Sequence, residues 1–150
     1  MVSAGKLNLK FVIAAAIVAT SAACGPSRDS LGNEEAARLR PAGSEEIAAG
    51  GLDAQSGVGG QQAALTWRQY GVDAPWPDVV AYFDAEMQAR GWQKGGGSSG
   101  LPSTSEWDAM AWHSNDRILR LGHIRNVPNN SGSFETFYEV ALIGRGVPAR

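Results

Sequence analysis

The aromatic side chains of this chain are concentrated in its second part: all five tryptophans, all three tyrosines and three of the four phenylalanines lie beyond residue 60. A hydrophobic core needs such residues, so the folded body is expected from the last ~90 residues, enough for one small domain. No internal repeat divides that body, and no residues are left for a second one.

Two hydrophobic periods alternate within it. Residues 63–72, AALTWRQYGV, set Leu65, Trp67 and Gln69 against Thr66, Arg68 and Tyr70, which predicts a first strand. Asp73-Ala74-Pro75-Trp76-Pro77 then stops the strand and starts a helix, because proline is tolerated in a first turn. Over residues 78–90, DVVAYFDAEMQAR, one stripe carries Val79, Val80, Phe83 and Met87, while Asp84, Gln88 and Arg90 lie off it. Asp78 and Arg90 suit the two ends of the helix dipole, and Gly91 supplies a left-handed cap. Trp92-Gln93 has room for a short strand, and residues 94–104, KGGGSSGLPST, read as a long surface connection.

Residues 106–113 and 117–126 flank a turn signal, Ser114-Asn115-Asp116. With Asn115-Asp116 as a two-residue loop, Ser114 faces Arg117, Trp112 faces Leu119, Met110 faces Leu121 and Asp108 faces His123. A slip of one residue would set Arg120 and Gly122 against the apolar pair and scatter that face. A last strand is expected over 134–143, FETFYEVALI, after the turn residues Asn129-Asn130-Ser131-Gly132. The fold class expected is α+β: one amphipathic helix on a single antiparallel sheet of four to five strands, occupying residues 61–150.

Residues 25–60 hold many Gly, Ala and Ser and almost no large apolar side chain. Such a stretch buries too little surface to offset its ordering entropy, so 24–60 is expected to be a flexible linker. Glu34-Glu35 and Glu45-Glu46 read as solvated acidic pairs within it.

The first residues carry Lys6 and Lys10 and no acid, and an uncharged run rich in Val, Ile and Ala follows from Phe11. That is the layout of a secretory signal, and its apolar stretch of roughly a dozen residues is too short for a membrane span, which needs about 20. Thr20-Ser21-Ala22-Ala23-Cys24-Gly25 resembles the lipobox of bacterial lipoproteins. The resemblance implies a signal peptide over 1–23 and a lipidated Cys24, holding the protein on the extracytoplasmic face of the cell membrane. The alternative is an ordinary signal cleaved after Ala23, leaving a free thiol or an intermolecular disulfide. The stretch from Tyr70 to Trp92, with its WPDVVAYFDAEMQARGW helix, is similar to small uncharacterised lipoproteins of high-GC Gram-positive bacteria. That likeness implies a fold and an address, not a reaction.

Removing 1–23 takes the formal charge from -2 to -4, so nucleic acid is not an expected partner. His113 and His123, the only histidines, fall on opposite faces of the expected hairpin and cannot share an ion; no metal is expected. The glycine-rich run lacks the Lys-Ser/Thr ending of a phosphate loop, and no cofactor is expected.

Two constellations remain. Asp108 opposite His123 would suit a small surface hydrolase in which a carboxylate orients an imidazole. No nucleophile elbow accompanies them, and cross-strand polar pairs stabilise sheets unaided. Trp107 falls on the face opposite Trp112 and Met110, where with Ala109, Ile118 and Ile124 it would form an apolar patch for an envelope protein or glycan. The leading expectation is a non-enzymatic, lipid-anchored binding or assembly module using that face.

Overall fold

The computed structural model describes residues 25–57, 60–95, 109–125 and 132–145. In chain order these form α1 (Arg28–Asn33), a 3-10 turn (Glu35–Arg38), β1 (Glu45–Leu52), β2 (Gln55–Gly57), β3 (Gly60–Gln62), β4 (Ala64–Val72), α2 (Trp76–Ala89), β5 (Gln93–Gly95), β6 (Ala109–Ser114), β7 (Arg117–His123) and β8 (Thr136–Gly144). The described strands make one six-stranded antiparallel sheet in the order β1-β4-β8-β7-β6-β5, beside a small β2-β3 hairpin. The class is α+β, with more strands than the four to five expected.

Where periodicity is strong, residues and structure agree. The β6-β7 hairpin pairs Ser114 with Arg117, Trp112 with Leu119 and Met110 with Leu121. Asn115 turns the chain at φ 49°, a left-handed conformation open to Asn and Gly. Asn115→Val is expected to lower stability by about 1–2 kcal/mol, while Asn115→Gly should hold the urea midpoint near wild type.

The α2 stripe Val79, Phe83 and Met87 is buried against Tyr138, Trp112 and their neighbours on one sheet face. The helix ends in a Schellman motif: Gly91 at φ 74° donates to the Gln88 carbonyl at 3.0 Å, and Trp92 donates to the Met87 carbonyl at 2.9 Å. Off the stripe, Asp84 accepts from Trp112 Nε1 at 3.2 Å and from Lys94 Nζ at 2.7 Å, tying the helix to β5 and β6.

The linker expected over 24–60 is not what the described residues 25–57 form. Leu31 is 0% exposed, and Ala36, Ala37 and Leu39 join the same core. β1 pairs with β4 from Glu45↔Gly71 to Leu52↔Leu65, adding a strand at the sheet edge. Small residues make this docking close. Pro26 packs where a side chain on Gly144 would stand, and a Cβ on Gly51 would lie 2.5 Å from both Arg28 Cγ and the Leu65 carbonyl oxygen. Glu34 accepts from Arg117 Nε at 2.8 Å and Glu35 from Arg90 Nη2 at 2.5 Å, so each member of that acidic pair clasps an arginine of the body. The segment's low hydrophobicity is offset by how completely Leu31, Ala36, Ala37 and Leu39 are covered.

Candidate functional site

The structure separates the residues singled out from the sequence. Cys24, Trp107 and Asp108 lie outside the described residues. His123, the last residue of β7, pairs with Tyr138 of β8 on the sheet face that carries Trp112 and Leu119, and its ring stacks on Trp76 with centroids 4.6 Å apart and planes 9° apart. His113 pairs with Ile118 on the other face, so the two histidines are divided by the sheet. Among the described residues no three His, Cys, Asp or Glu side chains gather in a metal-binding group.

Ile118 and Ile124 are on or just beyond β7, six residues apart, a separation of about 20 Å along a strand. Around Ile118, the neighbouring Ala111, Ala141 and Ile143 are only 7–8% exposed, which leaves little open apolar area there. Arg120 stands between the two isoleucines, its Nε buried without a hydrogen-bond partner. Elsewhere on this face Trp67 lies across Gly50 and Phe134 across Gly71, so the rings cover backbone rather than project from it. The exposed large hydrophobics among the described residues are instead Ile47 and Leu52, both on edge strand β1.

A different feature joins the N-terminal segment to the sheet. Between α1, the 3-10 turn and the β1-β4 pair lies an open cleft of about 620 Å³, lined by Arg28, Asp29, Asn33, Arg38, Thr66 and Arg68 among others. Thr66 is buried and its hydroxyl donates to the Gly50 carbonyl at 3.3 Å, closing the floor.

Each guanidinium is held differently. Arg38 is fixed by donation from Nε to the Gly32 carbonyl at 3.0 Å and from Nη2 to Asn33 Oδ1 at 2.6 Å. Arg28 is half exposed, its stem across Gly51 and its Nε 3.3 Å from Asp29. Arg68 gives Nη1 to Glu46 at 2.6 Å, while its Nε is buried without a hydrogen-bond partner. An orphaned donor of this kind is costly to the fold. The lining thus offers three guanidiniums, of which Arg28 faces Asp29 and Arg68 is paired with Glu46.

No protein-family model, curated protein or solved structure matches the chain. Among the described residues no helix is long and apolar enough to cross a membrane.

Sequence reasoning did not single out this cleft. Arg28 and Arg38 stand in a stretch without hydrophobic periodicity, and Arg68 is one polar position of an alternating strand. Their convergence depends on the pairing of β1 with β4, which no local pattern announces.

Proposed function

We propose that this protein is a non-enzymatic, lipid-anchored binding module, held through Cys24 at the outer surface of a membrane. The observation that carries the binding role is the cleft lined by Arg28, Arg38 and Arg68. The charged start, short apolar run and small residues before Cys24 support the anchor. Folding begins almost at once after that residue: Pro26 packs against Gly144, and Ser27 caps α1 by accepting from the Ser30 amide at 3.1 Å. A diacylated Cys24 would therefore hold the domain against the bilayer surface, with the two chains that stable anchoring requires.

Intact mass and membrane fractionation of the protein from its own cells test the anchor. The mature chain is expected to begin at Cys24 with a diacylglyceryl group and to sediment with membranes, and Cys24→Ala is expected to abolish both properties. A free thiol at Cys24, or a chain still starting at Met1, would refute it.

A further inference from the structure

We propose that the cleft binds a phosphate oxyanion, and that its source is the headgroup of an anionic phospholipid in the membrane that carries the anchor. The identity of the anion follows from the lining. Arg28, Arg38 and Arg68 surround one space, and guanidinium groups bind phosphate through paired, charge-assisted hydrogen bonds.

The source follows from chain length and rests on the anchor reading. Arg28 is four residues after Cys24, so their Cα atoms are at most about 14 Å apart. A lipidated Cys24 sits at the boundary between headgroups and acyl chains, which brings the cleft within reach of the phosphate layer. General electrostatics does not supply the attraction. The chain without residues 1–23 has a formal charge of -4, and charges more than about 8 Å apart are largely screened at physiological salt. A preference for anionic lipid in a chain of this charge would come from a local group of cations, and the cleft gathers three guanidiniums, two of them beside a carboxylate.

The test uses the mature protein in vesicles, with thermal unfolding and tryptophan fluorescence as readouts. In phosphatidylcholine vesicles, added inorganic phosphate is expected to raise the midpoint, and acetate at equal ionic strength is expected to do so far less. Replacing part of the phosphatidylcholine by phosphatidylglycerol is expected to give the same rise without free phosphate. Arg68→Gln should weaken both responses about tenfold, the loss of one charged hydrogen bond. Arg28→Gln and Arg38→Gln, at exposed positions, should act in the same direction and guard against a folding defect in the first variant.

Phosphate binding without any response to phosphatidylglycerol would overturn the lipid source in favour of a soluble phosphorylated ligand. Equal responses to acetate and phosphate would overturn phosphate and point to a carboxylate partner. Variants that respond as wild type does would overturn the cleft altogether. If mass shows Cys24 unmodified, the phosphate titration is made on the soluble protein, and the anchor fails separately from the site.

Discussion

A chain beginning at residue 61 is expected to stay largely unfolded, whereas one beginning at residue 25 unfolds in a single cooperative transition. The shorter chain keeps every tryptophan and tyrosine, so the difference lies in what residues 25–60 cover. Without them β4 loses β1 and becomes an edge with a row of unpaired backbone groups. The core loses Leu31, Ala36, Ala37 and Leu39. Full burial of one leucine contributes about 1.5–3 kcal/mol, and small domains have only about 5–15 kcal/mol in all. The same logic compressed to one residue gives Leu31→Ala a cost of about 2–5 kcal/mol, because its site is 0% exposed. Urea titration by circular dichroism and tryptophan fluorescence checks both. A 61–150 chain with the midpoint of the longer one would show that the N-terminal segment rests on a finished domain instead of completing it.

That comparison marks the border between what residues reveal locally and what only the assembled sheet reveals. The α2 stripe, its Gly91 terminus and the register around Asn115 are legible because each depends on spacing within about a dozen residues. β1 is different. Its residues EEIAAGGL contain few strand formers, and a bulge between Glu46 and Ala48 breaks the alternation that would have identified it. Its glycines are explained by what crosses them, Trp67 at Gly50 and Arg28 at Gly51, and those partners are distant in sequence. An edge strand also needs less side-chain hydrophobicity than a central one, since its backbone pairs on one side. The cleft was hidden for the same reason: its arginines become neighbours only after β1 pairs with β4 and α1 docks on them. Composition alone treats Glu34 and Glu35 as solvated charge; Glu35 stays largely exposed, yet both are partners of arginines, 83 and 55 residues away.

Alkaline pH is expected to unfold this domain steeply, starting just above pH 10. Tyr70 and Tyr138 stack with ring centroids 5.4 Å apart and are 1% and 0% exposed. Burial pushes both hydroxyls above the ordinary tyrosine value; at Tyr138 the bond to Ser44 Oγ at 2.8 Å opposes this, and at Tyr70 the Arg68 charge does. In the unfolded chain both titrate near pH 10. Above that pH the native state retains protons the unfolded chain has lost. Their contribution is therefore complete below pH 10 and is lost as pH climbs toward the folded-state values. Between its unfolded and folded values each tyrosine adds a slope of up to about 1.4 kcal/mol per pH unit, so the two losses add as pH rises. Tyrosinate absorbance and circular dichroism followed together should change in one transition, with Tyr138→Phe reducing the slope by about half. Smooth ionisation near pH 10 with the fold intact would contradict the burial of these hydroxyls. Ser44 precedes β1 directly, and Arg40 lies 5.9 Å from the Tyr70 ring, so ionisation at the pair strikes the contacts that hold the N-terminal segment to the sheet. The alkaline transition and the truncation thus act on the same junction, which predicts that Leu31→Ala shifts the alkaline midpoint to lower pH while leaving its slope unchanged.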